Sequence, residues 1–395
     1  MGVQYSVDIQ QYGAVADAKT VNTGAIQKAI DACHAAGGGR VLCGPGTFIT
    51  GSLVLRSHVE LHLMAGCRLV GSSSVDDYDD LVAAGFRSER APERTSKSLV
   101  RAVNAEHVAI TGLGEINGSG LAFFNTEDMG GRFFRKPSIA RPRTVMFYQC
   151  RDVRLAGISL IDSPCWTVWL MKCERVSIHG MRVFGDQRMI NNDGINLDAC
   201  RDVVVSDCII RTADDCIALR AISGVYDTPA VCENVTISNC TLDSWCSGIR
   251  VGCPGDGVIR ACTFSNIVIK SASNGIVIDN LKRYLPADSE GSADIHDLVF
   301  SQVIIDCDAI PLRVSAEEGV RLPRLGDLSF SDFRIRSGGP CLVEGNPQTI
   351  IRNVSFDHMH ICTSGKDAFV CRYCEGVRFS EVCMSNRSSM QTAVT

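Results

Sequence analysis

The chain has 395 residues, a formal net charge of −5 and 21% charged residues. Nucleic-acid binders normally carry a basic patch, so this balance argues against that class. The longest apolar runs break within a few residues, too short for a membrane-spanning helix, and the length suits either several ordinary domains or one large β architecture.

The N-terminal stretch MGVQYSVDIQQYG has no basic region followed by an apolar core. No secretory signal is expected there, and a cytoplasmic location is expected for the chain. In a reducing compartment the 20 cysteines read as thiols rather than disulfides. Cys150, Cys173, Cys200 and Cys232 share one context, each followed by RDV, ERV or ENV, which suits a small buried hydrophobe at a repeated tight position. Cys371 and Cys374 have zinc-like spacing but no second pair at a matching distance, so no metal is expected there.

Residues 6–14 read as a short strand and turn. Residues 22–36 form the one clear amphipathic helix: Asn22 or Thr23 caps it, Ile26, Ala29, Ile30 and Cys33 follow helical spacing, and Gly37, Gly38 and Gly39 end it. A lone helix ahead of a long β region suits a lid over an open stack. From residue 40 the helical period vanishes and short alternating segments such as GSLVL and VELHL take over. Residues 76–97 are polar and charged and read as a surface excursion.

Then a repeat sets in. CRDVRLAGISLI, CERVSIHGMRVF, CRDVVVSDCIIR, CENVTISNCTLD and later segments share one template: an aliphatic pair at alternate positions, a few small or polar turn residues, then another aliphatic pair. Units recur at solenoid spacing. Strands of three to five residues without intervening helices suit a right-handed parallel β-helix, all-β with an N-terminal capping α-helix, in which each coil stacks on the last. A β-sandwich would need hairpin turns and longer strands. The expectation is one domain over residues 1–395, with the strand and helix in 1–40 and the coils in 41–395. Insertions at 221–231 and 281–293 are expected to project as loops walling a cleft.

Within the repeat, Asp193, Asp214 and Asp215 sit among apolar and small residues, and Asp193 precedes Asp214 by 21 residues, about one turn of such a coil. Adjacent coils lie about 4.8 Å apart, so the three carboxylates can converge. Consecutive Asp214 and Asp215 cannot both face outward on a regular strand, so a kink is required there. Two carboxyls roughly 6.5–9.5 Å apart leave room for a water, the arrangement of an inverting glycosidase. Crowding like charges raises the proton affinity of one of them. The plainer reading is that NNDG and DD are turns, since Asp and Asn are common turn formers.

The chain resembles glycoside hydrolase family 28, the polygalacturonase-like enzymes. Asn191, Asn192, Asp193 and Gly194 match the family's Asn-x-Asp-Gly, and Asp214, Asp215, Cys216, Ile217 and Ala218 match its Asp-Asp-Cys-Ile-Ala. SPCWTV and TGLGEINGSG resemble further family segments. The resemblance implies a right-handed parallel β-helix and a hydrolase of pectin-like oligosaccharides that needs no cofactor or metal. Asp214 would be the general acid, and Asp193 and Asp215 would hold and deprotonate the attacking water. It also makes Asn191, Trp169, Arg220, Ser247, Arg250 and Asp279 candidate substrate-binding residues.

Departures bear on the sugar. Where the family has Gly-His-Gly, this chain has Cys246, Ser247 and Gly248; where it has Arg-Ile-Lys, this chain has Val277, Ile278 and Asp279. Lost cations and a gained anion weaken binding of a uronate carboxylate. Arg220 and Arg250 remain as basic candidates, pointing either to the sugar or to neighbouring carboxylates. Trp166 reads as core, whereas Trp169, Tyr226, Trp245 and Tyr284 are candidate sugar-stacking rings. A β-helix lyase or epimerase, and a non-catalytic glycan-binding β-helix, are the alternative readings. The expected partner is an oligosaccharide, with neither nucleic acid nor membrane; the oligomeric state is not legible.

Overall fold

A computed structural model describes residues 5–285 and 291–386. Part of the expected insertion, residues 286–290, and the first four residues of the N-terminal stretch fall outside the described residues. The chain divides into two compact units: residues 1–196, 200–213 and 224–228, and residues 197–199, 214–223 and 229–395.

In the first unit each coil contributes strands to parallel stacks. One stack runs through Gly39–Cys43, Val59–Leu63, Ala109–Gly112, Arg151–Ala156, Glu174–His179 and Arg201–Ser206. Its register lines up Val41, Leu61, Ile110, Leu155, Ile178 and Val205, all fully buried. Alternation puts every second side chain on one face, and the repeated aliphatic pairs therefore stack on their own copies. A second stack includes Gly46–Thr50, Cys67–Gly71, Glu115–Asn117, Ser159–Ile161, Arg182–Phe184 and Ile209–Thr212. A third comprises Leu53–Leu55, Ser98–Val103, Arg143–Tyr148 and Cys165–Met171. Parallel pairing of this kind excludes the hairpin-built sandwich.

Helix α1 (Thr23–Ala35) buries Ile26, Ala29, Ile30 and Cys33, as the spacing predicts. Its Gln27 side chain bonds both backbone groups of Val54, at 2.8 and 3.0 Å. The cap differs from expectation. Asn22 occupies the N-cap position without a side-chain cap bond, because its side chain is spent on Val15, Thr20 and Ile49. The Thr23 hydroxyl accepts from Gly51 N instead, at 2.7 Å. The excursion at residues 76–97 is less superficial than its polarity suggests, since Tyr78, Leu81 and Phe86 are buried.

The second unit has two parallel stacks. One is β1 (Ile217–Arg220), β3 (Ser247–Gly252), β5 (Asn274–Asn280), β7 (Leu312–Ala316), β9 (Cys341–Glu344) and β11 (Phe369–Arg372). The other is β2 (Val231–Ser244), β4 (Val258–Ser271), β6 (Asp294–Cys307), β8 (Arg324–Ser337), β10 (Ile351–Thr363) and β12 (Arg378–Asn386). Most strands of this second stack run 14 residues, longer than the sequence pattern suggests. They bend mid-strand at left-handed residues Asn239, Asn266, Gln302, Asp332 and His358, φ 48–58°. Because the bend recurs at the same register position, hydrogen bonding continues through it, and Asn and Asp tolerate that conformation well. Beneath it Phe264, Phe300, Phe330, Phe356 and Phe379 stack with ring centroids 4.3–5.3 Å apart.

The recurring cysteines are structural. Within the first unit Cys173 Sγ donates to Phe147 O at 3.7 Å and Cys200 Sγ to Leu170 O at 3.2 Å. Within the second, Cys232 does the same to Leu197 O. A thiol at the coil corner thus fills a tight space and partners a carbonyl of the preceding coil.

Candidate active site

In the second unit, Asp214 and Asp215 lie in the irregular stretch just before β1, the kink that two adjacent outward acids require. Asp215 N donates to Asp214 Oδ1 at 3.1 Å, and the Ser244 hydroxyl donates to Asp214 O at 2.7 Å. Cys216 N donates to Ser247 O, joining the corner to β3.

Four charges then alternate. Asp215 Oδ2 is 3.2 Å from Arg220 Nη2 and 3.6 Å from Arg250 Nε, and Arg250 Nη2 is 3.3 Å from Asp279 Oδ2. Arg220 also donates to Cys253 O. Arg220, Asp215 and Asp279 are buried, Arg250 is half-buried, and Asp215 Oδ1 and Asp279 Oδ1 accept no hydrogen bond among the described residues. The two guanidiniums balance the charge of Asp215. Burial opposes the charge of Arg250, but Asp215 and Asp279 outweigh it and hold the guanidinium above its ordinary value.

Asp214 differs from its neighbour. Burial, and then the charge of Asp215, push its carboxyl up to about 6, against the pull of both arginines and of the Cys246 thiol hydrogen-bonded to it. A carboxyl that keeps its proton in mildly acidic solution, beside one clamped by two cations, is the division of labour of a general acid and its partner. Burial likewise raises the Asp279 carboxyl, with Arg250 opposing and Asp215 adding to the rise. Asp214, Asp215 and Cys246 have ligand atoms within 4.8 Å of one another. Two guanidiniums beside them make this a poor seat for a divalent cation.

Asp193 belongs to the first unit, where it is buried in the loop before Ile195. The loop is held by main-chain bonds, Thr167 N to Asp193 O and Val168 N to Gly194 O, at 2.8 and 2.9 Å. The Asn192 side chain accepts from Ala213 N and donates to Asp186 O. Asn191, at φ 63°, accepts from Arg141 at 3.0 Å.

Among the substrate-binding candidates, the stacking expectation for Trp169 needs correction. Trp169 is fully buried, packed against Phe86 and Trp166 with the Arg143 guanidinium 4.3 Å over its ring; it is core, as Trp166 is, and offers no stacking face. Tyr226, from the insertion at 221–231, is buried against Phe86 and Tyr148. Ser247 is buried with its hydroxyl on Cys246 Sγ. Arg220 and Asp279 are buried in the ion-pair chain, Arg220 on Asp215 and Asp279 on Arg250. Asn191 is engaged by Arg141. Arg250 and Tyr284 keep some exposure. The sequence reading missed the Cys246–Asp214 contact, whose only signal was the position of Cys246 where the motif loses its histidine.

Residues 83–232 match the model of glycosyl hydrolases family 28. A probable polygalacturonase of Arabidopsis thaliana is 29% identical over 331 residues, 76% of this chain and 67% of that protein. A probable polygalacturonase of Vitis vinifera is 28% identical, covering 69% of this chain and 57% of its own length. A hyperthermoactive exopolygalacturonase from Thermotoga maritima superposes with TM-score 0.82 at 20% identity, covering 96% of this chain and 92% of the other, a likeness of fold.

Proposed function

We propose that the chain, whose residues 83–232 match the model of glycosyl hydrolases family 28, is a hydrolase of that family and cleaves, with inversion, glycosidic bonds of oligosaccharides derived from pectin or a related glycan. The observation that carries this reading is the contrast between Asp214, raised to about 6, and Asp215, braced by Arg220 and Arg250. Asp214 protonates the leaving oxygen. Asp215 polarises and deprotonates the attacking water; for Asp193 the Asn-x-Asp-Gly motif supports a catalytic role. Arg220, Arg250 and Asp279 orient Asp215.

Because Arg250 is neutralised by Asp215 and Asp279, no cation of this group is left over for a uronate carboxylate, which favours a neutral sugar beside the scissile bond. The thiol-rich composition suits a reducing, cytoplasmic setting and short substrates. We read the coils as right-handed, with α1 covering the N-terminal end of its stack through Gln27 and Val54.

The test is a panel of neutral and uronic oligosaccharides with product anomers followed by NMR. Inverted anomers and new reducing ends are expected. Retained anomers, or unsaturated products absorbing in the ultraviolet, would overturn the reading in favour of a retaining enzyme or a lyase.

A further inference from the structure

The outer face of the β1–β3–β5–β7–β9–β11 stack continues from the active-site charges toward the C-terminal coils. Register aligns Asp279, Ser315, Glu344 and Arg372 in one row, and Arg250, Val277 and Arg313 in the row two residues earlier. Side chains two apart share a face, so both rows look outward together. Beyond Asp279 they border a cavity of about 540 Å³ lined by Arg313, Ser315, Glu317, Glu344, Arg372 and Tyr373 among others, a volume in the range of small-molecule sites.

Three features make this a built recess. Arg313 Nε is buried and makes no hydrogen bond among the described residues. Glu344 and Arg372 pair across the rim at 3.5 Å. The Tyr373 side of the cavity is open, the residue being 53% exposed, and Gly345 lets its backbone come close, since a Cβ there would strike Tyr373 O. The arginine and carboxylate side chains of the lining and the exposed Tyr373 match the hydroxyls and the apolar face of a pyranose. Glu317, Glu318 and Glu344 outnumber Arg313 and Arg372, so the recess holds no surplus positive charge for a uronate.

Resting on the hydrolase reading above, the geometry points to a distal subsite here for a neutral pyranose unit of the oligosaccharide cleaved at Asp214 and Asp215. Strands β7 and β9 lie three and four steps from β1, about 14–19 Å at the usual strand spacing. Only substrates extending several sugars from the scissile bond reach the recess.

The test separates binding from chemistry. Neutral oligosaccharides of increasing length are titrated calorimetrically into the Asp214→Asn variant, with and without Tyr373→Ala or Tyr373→Leu, which keeps bulk but not the ring. Affinity should climb with length, and both ring-less variants should remove about five- to tenfold of that gain, while hydrolysis of a short aryl glycoside by Tyr373→Ala alone stays unchanged. Arg313→Met should lose a similar share. The subsite is overturned if the length dependence survives both Tyr373 variants, or if a uronic series gains as much as the neutral one. Failure of the wild-type protein to hydrolyse any oligosaccharide counts against the hydrolase reading instead, and the binding series still reports on the subsite.

Discussion

Arg220 Nη2 lies 3.2 Å from Asp215 Oδ2, and both side chains are almost wholly buried. A buried pair contributes little net stability while intact, but removing one partner strands the other's charge. Arg220→Met is therefore expected to destabilise the protein by about 3–5 kcal/mol in urea denaturation, and Arg220→Met with Asp215→Leu to recover much of that loss. A single-variant cost below about 1 kcal/mol would show that Arg250 alone suffices to hold Asp215.

Asp214→Asn removes the proton donor and leaves shape intact. A positioned general acid contributes about 10²–10⁴-fold, so kcat should fall by that factor while the circular dichroism spectrum of the folded protein is retained. Full activity in this variant would remove Asp214 from the mechanism.

The raised proton affinity of Asp214 has two signatures in pH. Since the acid must be protonated, kcat/KM should decline as pH rises through about 6. In stability the folded state holds this proton between 3.8, the ordinary value, and about 6, so the native protein binds more protons than the unfolded chain in that window. Stability from this group is then full below about 4 and is lost as pH rises through about 6. Melting midpoints across this range should slope less steeply in Asp214→Asn than in the parent.

Asp279 sets what Arg250 can do. Asp279→Asn leaves the Arg250 guanidinium with Asp215 alone and turns it toward an incoming carboxylate. The ratio of kcat/KM for uronic over neutral oligosaccharides should rise about tenfold, the value of roughly 1.4 kcal/mol for one charge-assisted hydrogen bond. An unchanged ratio would mean that the uronate subsite is closed by shape rather than by charge.

The phenylalanine column tests the coil. Phe300 stacks on Phe264 at 4.3 Å and on Phe330 at 5.0 Å, so Phe300→Ala opens a cavity between two rings and should cost about 3–5 kcal/mol. Equilibrium denaturation is the measurement, and a loss near that of a surface substitution would contradict close packing of the column.

Much of this is legible in the sequence. The repeated aliphatic pairs identify the inward positions directly, because a period of two can bury only one face, and Val41, Leu61 and Ile110 obey it. The kink at Asp214 and Asp215 follows from the same rule. The length of β2, β4, β6 and β8 was not legible, since it depends on hydrogen bonds that persist across the left-handed bend at Asn239 and its counterparts. Nor was the cap of α1, where Asn22 bonds Ile49, 27 residues away.

By itself the sequence determined the parallel coil, the cysteine corners and the acidic residues available for chemistry, because each of these is encoded in local spacing. Tertiary structure alone decided which cations remain free and which rings face outward. Arg250 meets Asp279 across 29 residues of chain, and Trp169 is covered by Phe86 from an excursion far upstream. Pairing and exposure belong to neighbouring coils, and the charge balance around Asp215 is set there.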